Sequence, residues 1–268
     1  MALVSSPPRV GGLLREWRRR RRLSQLELSA EAQVSARHLS FVESGRARPS
    51  RELLLHLAEH LDVPLRERNH LLLAAGYAPL YAETPLDAAA MAPVRDALDT
   101  ILAGHEPYPA VIVDRRWDLV ATNDAARRVL AARVAPALLG PPANALRISL
   151  HPDGLAPHIV NLAEYSAHLR TRLHRQVVRS GDPELAALEA ELAGYPGVAP
   201  TAGVAEPAEL LFVPLQLRAD DGPPLSFFST LATFGTALDI TLEELAIEAF
   251  FPADASTAEH LRAVGAQR

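Results

Sequence analysis

One stretch constrains the fold more than any other, the run Gln25–Ser50 with the sequence QLELSAEAQVSARHLSFVESGRARPS. Ser24-Gln25-Leu26-Glu27 just before and into it matches a capping box, in which the Ser hydroxyl takes an orphan N–H and Glu27 reaches back. A helix is therefore predicted from Gln25 to about Ala32. Ser35 can cap a second helix ending at Ser44, where Gly45 supplies the left-handed turn. Pro49-Ser50 opens a third, with Leu53, Leu54, Leu57, Ala58 and Leu61 inward, until Asp62-Val63-Pro64 breaks it. Upstream, Leu13, Leu14, Trp17 and Leu23 mark the buried side of a further helix, interrupted by the Arg18–Arg22 run. Downstream, a last helix runs to about Ala75 before Gly76. Two short helices joined by a tight turn, the second terminated by glycine, make a helix-turn-helix inside a five-helix, all-α domain.

Charge separates this head from the rest of the chain. The first 80 residues carry 13 Arg against 8 acids, the remaining 188 carry 14 Arg against 24, and the chain has no Lys. Only the head is thus expected to face a polyanion. In helix-turn-helix geometry the second helix enters the major groove with its N-terminal side chains on base edges, while flanking residues grip phosphates. Here that helix presents Ser35, Ala36, Arg37, Ser40 and Phe41; Leu39 and Val42 belong to the core. An Arg fork at position 37 can hold guanine O6 and N7, or it can be consumed in an internal pair with a nearby acid, for which Glu43 is the candidate. Arg46 and Arg48 are expected on phosphates, and the Arg18–Arg22 run is either a further phosphate contact or a solvated face.

The head resembles the XRE-type (Cro and phage-repressor-like) helix-turn-helix family through Leu23-Ser24-Gln25, Leu28, Val34-Ser35, Glu43-x-Gly45 and Pro49-Ser50. That resemblance implies backbone contact by Gln25 and base readout by Ala36, Arg37 and Phe41. It also implies binding as a homodimer to a palindromic duplex operator.

Beyond residue 80 the pattern changes. Residues 81–107 read as a connector with one helix, roughly Leu86 to Leu102, whose weakly apolar face is Ala89, Pro93, Ala97 and Ile101. Residues 108–268 read as a second domain. Pro109–Asp114 and Trp117–Ala121 are short β-type runs, and Asn123 or Asp124 starts a helix reaching Arg133. A broken helical stretch spans Leu155 to Leu192. Leu210–Leu217 and Leu225–Phe234 are predicted strands, with Pro214 placing the first at an edge or bulge. Leu245–Phe251 alternates as a strand, although Thr241-Leu-Glu-Glu244 could cap a helix, and Ser256–Glu259 opens a short last helix. Six of the seven Phe lie between Phe212 and Phe251.

Several function classes are not expected. An apolar share of 49% against 22% charged is that of a chain with a core, and no run approaches the ~18 apolar residues that cross a bilayer. The N-terminal MALVSSPPRVGG has no apolar stretch following a basic segment, so no secretory leader is expected and the cytoplasm is the default. With no Cys there is no disulfide, thiolate nucleophile or Cys-based zinc site. His56-Leu-Ala-Glu59-His60 fits a metallopeptidase spacing, but Leu57, Ala58 and Leu61 on the same helix are needed inside. The separations of His151, His158, His168 and His174 match no helical ligand pattern, and no G-x-S-x-G, P-loop or dinucleotide fingerprint occurs. Neither a metal nor catalysis is expected.

The second domain resembles the MmyB/MltR-like ligand-binding domain, through Ala110–Asp114, Trp117–Asn123 with Ala125-Ala126, Arg147–Leu155, Asn161, Leu169–Leu173, Ser229–Gly235 and Phe251–Asp254. The resemblance implies an α+β, PAS-like fold with an antiparallel sheet around one cavity. It implies a bound small apolar molecule, a fatty acid being the example, that modulates DNA binding. Trp117, Phe212, Phe227 and Phe234 are the candidate lining residues, with plain core the default reading of each. Arg170, with Arg172 and Arg175, is a candidate partner for a ligand carboxylate or for surface acids, and His151 and Asn161 are further candidates. An antitoxin-like body that captures a protein partner, or an enzyme domain, are the alternatives.

Overall fold

The computed structural model describes residues 10–198, 213–219 and 222–266. The chain divides into two units, one running to Pro85 and including Thr236–Glu243, the other made of the remainder. The expectation about a leader, and the candidate Phe212, fall outside the described residues.

The first unit holds five helices, α1 (Val10–Arg20), α2 (Gln25–Glu31), α3 (Ala36–Glu43), α4 (Arg51–His60) and α5 (Leu65–Ala74). Their starts obey local chemistry. The capping box at Ser24 and Glu27 forms in both directions, Ser35 accepts from the His38 N–H, and Ser50 accepts from the Leu53 N–H. Gly45 sits at φ +74°, the left-handed turn that releases the chain after α3. Leu14, Trp17, Leu28, Leu39, Val42, Leu54, Leu57 and Leu72 close one core. α1 lies so close to α3 that a Cβ on Gly11 would stand 2.3 Å from the Val42 carbonyl oxygen.

Two features of this unit differ from the sequence reading. Arg18, expected on a solvated face or on phosphate, is buried, because a buried carboxylate on α3 needs it. The second difference is a long-range contribution. Pro64 gives α5 no side-chain cap, and the Leu65 N–H instead donates to Glu243 Oε2 at 2.8 Å. Glu243 closes a one-turn helix numbered in chain order as α11 (Ile240–Glu243). Next to it, Asp239 Oδ2 accepts from the Thr84 N–H at 3.2 Å and the Thr84 hydroxyl at 2.6 Å. The Ile240 N–H donates to the Ala82 carbonyl, and Ile240 is buried.

The second unit opens with α6 (Ala92–Gly104). The connector thus does not stand apart, and its buried face is Met91, Leu98 and Leu102 rather than the expected one, with Ile101 exposed. Larger side chains one position along the helix bury more area than the small ones the pattern suggests. Strands β1 (Ala110–Val113), β2 (Leu119–Thr122), β3 (Leu215–Leu217), β4 (Leu225–Thr233) and β5 (Ala246–Pro252) form one antiparallel sheet in the order β2-β1-β5-β4-β3. The described part of the Leu210–Leu217 run gives a short edge strand immediately after Pro214, as a residue without an N–H requires.

Helices α7 (Asp124–Arg133), α8 (Ala145–Leu150), α9 (Leu162–Ser180), α10 (Pro183–Ala193) and α12 (Ala255–Gly265) complete the unit. Asn123 caps α7, accepting from the Ala126 N–H. Gly181 at φ +67° breaks the long helical stretch between α9 and α10. The last helix starts from Asp254, ahead of the expected Ser256, because Asp254 accepts from the Thr257 N–H. α8 forms between the helix reaching Arg133 and the stretch starting at Leu155, where the sequence reading assigns no element; Asn144 caps it, and its Leu146, Ile148 and Leu150 are buried. The core gathers α8, α9 and α10 with β3 and β4 around Leu150, Leu173, Leu192, Leu217 and Phe227.

Candidate nucleic-acid interface and ligand cavity

The face of α3 opposite its buried residues carries Arg37, exposed, and Ser40 and Phe41, half-buried; Ser35 and Ala36 stand at its N-terminus. The Phe41 ring lies between two guanidinium groups, with Arg37 centred 5.4 Å and Arg46 4.8 Å from its centroid. An aromatic face attracts a cation by about 0.5–1 kcal/mol at an exposed site. The ring therefore serves as a platform that holds two like charges side by side. Arg46 is further oriented by its Nε–H to Ser44 Oγ, 3.1 Å. The spacing of Arg37 and Phe41, four residues apart on one helix, is the signal from which this platform could have been read.

Glu43 decides between the two readings of Arg37. Its carboxylate is fully buried and accepts from Arg18 through Nε at 2.7 Å and Nη2 at 2.9 Å, a bidentate fork. Gln25 Nε2 donates to it as well, at 2.7 Å. Burial pushes the Glu43 carboxyl up, but the Arg18 and Gln25 hydrogen bonds outweigh it and hold the group below its ordinary value. Arg37 is left outside that network.

Gln25 and Arg48 both make contacts within the fold. Gln25 spends its amide on Glu43, so it positions α3 from α2. Arg48 donates Nε and Nη2 to the Ala75 carbonyl at 3.1 and 2.6 Å and lies over the Tyr77 ring, which ties the loop after α3 to the end of α5. Within the arginine run, Arg21 donates to the Leu61 and Asp62 carbonyls and Arg20 pairs with Glu16. Arg19 is exposed. His56 Nε2 sits 2.7 Å from the Ala32 carbonyl oxygen. Among the described residues no group of three or more His, Asp or Glu could hold a metal ion.

The second unit holds a partly open cavity of about 80 Å³ whose wall includes Val111, Trp117, Leu169, Leu217, Phe227 and Phe250. That is several times the ~10–15 Å³ a single water needs. Trp117 and Phe227 therefore stand at its wall; Phe234 comes just after β4, half-buried, and is not among the lining residues. Arg170 is buried on α9 but does not line it either. Asn161 holds β3, donating to the Pro214 carbonyl and accepting from the Gln216 N–H. Trp117 is held with φ +69° between the first two strands. Its indole N–H donates to Gln176 Oε1 at 2.9 Å and its ring stacks under Arg172 at 4.4 Å.

The polar part of the wall is not among the residues the sequence singles out. Tyr165 and Glu248 both line the cavity and both are buried. Glu248 Oε1 accepts from Ser229 at 2.9 Å and Arg172 at 3.3 Å. Burial and the Glu248 charge push the Tyr165 hydroxyl far above its ordinary value, Arg172 opposing, so it remains a neutral donor. A lone carboxylate inside the otherwise apolar strand Ala246-Ile-Glu-Ala-Phe-Phe251 is the signal that could have found it.

No helix among the described residues is long and apolar enough to cross a membrane. No curated protein matches the chain. Among solved structures, one titled "Structure of an RNA-binding Light-Oxygen-Voltage Receptor" aligns at 13% identity with a TM-score of 0.28, covering 95% of this chain and 62% of that one. At that score the likeness carries no argument, and the chain spans under two thirds of that structure's length. Family models are decisive. A helix-turn-helix model matches residues 14–68, and the model described as "MmyB-like transcription regulator ligand binding domain" matches residues 94–264, well over half of the chain. The protein is therefore a DNA-binding transcription regulator with a ligand-binding domain, and it belongs to the MmyB-like family.

Proposed function

We propose that a small, largely apolar molecule in the cavity of the second unit modulates how well Arg37, Phe41 and Arg46 engage duplex DNA. One observation carries this reading. β4 and β5 contribute Phe227, Glu248 and Phe250 to the cavity wall, and the segment joining them, Thr236–Glu243, is built into the first unit. Asp239 and Glu243 are its anchors, on Thr84 and on the first N–H of α5. A ligand that favours one arrangement of the β4–β5 hairpin thereby favours one state of the head, which is a population shift with a physical carrier. A single reading helix contacts few base pairs, so the head acts as a homodimer on a palindromic site, half-sites about 34 Å apart.

Two measurements test this. Arg37→Ala weakens binding to a duplex selected from a random pool by about 1–3 kcal/mol, roughly 5- to 150-fold, while sparing most affinity for unselected DNA. Equal losses on both would make Arg37 a phosphate contact. Saturating 1-decanol, a small apolar probe, shifts wild-type affinity for that duplex by about fivefold or more. In Asp239→Ala the shift disappears although binding without the probe stays within a few-fold of wild type. An Asp239→Ala protein that responds like wild type would remove the hairpin from the mechanism.

A further inference from the structure

The hydrogen-bonding groups around the cavity are not all used, and the ones left over define what fits. Trp117 spends its indole N–H on Gln176, and Ser149 donates to the Ala145 carbonyl. By contrast, the hydroxyl of Tyr165, a buried residue, has no hydrogen-bond partner among the described residues. Both donors to Glu248 end on Oε1, which leaves Oε2 open among the described residues. Behind the wall rather than in it, Arg172 Nη2 is buried and likewise without a partner there. A ligand head that bonds the Tyr165 hydroxyl and Glu248 Oε2 gains more than its apolar area alone provides, because covering them with an apolar group would leave them unmet.

Charge then selects among ligands. Among the described residues the one charged side chain in the wall is Glu248, and Arg172 at 3.3 Å cancels it. Arg172 does not line the cavity, so a carboxylate entering it would set a second negative charge beside Glu248, whose own charge Arg172 already balances. An ammonium would leave a positive one. Either state carries the desolvation penalty of a buried, unpaired ion. A neutral group that both accepts and donates leaves the pair intact. It accepts from the Tyr165 hydroxyl and donates to Glu248 Oε2, both on residues of the wall.

We propose that the ligand of this cavity is a neutral amphiphile, an alcohol or primary amide on an apolar chain, rather than a free fatty acid. The inference rests on the reading of the cavity as the ligand site. Four ten-carbon probes differing only in the head separate the possibilities: 1-decanol, decanamide, decanoate and decylamine, titrated calorimetrically into the full-length protein at neutral pH. Decanol and decanamide bind at least about tenfold tighter than decanoate and decylamine. In Glu248→Gln, which leaves Arg172 as an unbalanced cation, decanoate gains on decanol by about tenfold or more. Decanoate equalling or beating decanol in the wild-type protein overturns the proposal, and so does a decanoate-to-decanol ratio that Glu248→Gln does not move. If no probe binds, both the proposal and the ligand reading fall. If decanoate wins, only the proposal does.

Discussion

Arg18→Ala destabilises the head by about 3–5 kcal/mol, the range for removing one partner of a buried pair. The reason lies in what remains. Glu43 is the last residue of α3, where the helix dipole already disfavours a negative charge, and its side chain is 0% exposed. Without Arg18 it keeps only Gln25 and a distant Arg15 at 3.6 Å, and the Leu23 carbonyl loses the donor it has in Arg18 Nη1. Denaturation followed by Trp17 fluorescence in a Trp117→Phe background reads the head alone, since the chain has two Trp. The double change Arg18→Met with Glu43→Leu recovers most of the loss, because the penalty belongs to the orphaned charge rather than to missing attraction. If the double variant is no more stable than Arg18→Ala, the buried carboxylate is not the cause.

The same pair gives the head a pH dependence of known sign. Glu43 has a lower pKa in the folded protein than its ordinary carboxylate value, so folding binds fewer protons there. Its contribution is complete above the ordinary Glu range, near pH 4.3, and is lost as pH falls through the depressed folded value. Arg18, raised by its hydrogen bond to Glu43 against burial, stays charged throughout.

What was legible in the sequence is what is encoded locally. The Ser24, Ser35 and Ser50 caps, the Gly45 turn and the Leu39/Val42 core face each depend on neighbours within a few residues, and all appear in the structure. The strand segments were legible for the same reason, since alternation is a local property. The missing parts are non-local. Arg18 reads as part of a solvated or phosphate-facing run because its partner Glu43 lies 25 residues away. Glu243 caps α5 across 178 residues, a distance no periodicity spans. Arg48, expected on phosphate, also gives two of its donors to the Ala75 carbonyl, 27 residues away, a contact no local pattern shows. Tyr165, Arg172 and Glu248 come from a helix and a strand that only the fold brings to one cavity.

Phe227→Ala produces a loss of similar size in the other unit, about 3–5 kcal/mol, the usual cost of truncating a buried Phe. Phe227 is 1% exposed and sits at the β3–β4 pairing opposite Leu215, so its ring is packed by the shortest strand of the sheet. It also forms part of the cavity wall, and removing it joins the space it filled to the 80 Å³ already there. Surrounding strands cannot collapse into so large a void, and the cost rises with the volume left empty. Phe228, on the opposite face of β4, stacks on Phe251 at 5.2 Å while remaining half-buried. Phe228→Ala therefore costs clearly less, and the pair of variants separates loss of packing at the cavity from loss of aromatic area in general. Trp117, the body's own fluorophore and another wall residue, reports the transition in urea. Because truncating Phe227 adds apolar space of the size a small aromatic fills, benzene restores part of the lost stability to Phe227→Ala and none to Phe228→Ala. Loss without rescue would mean that Phe227 supports the sheet but borders no ligand-accessible space.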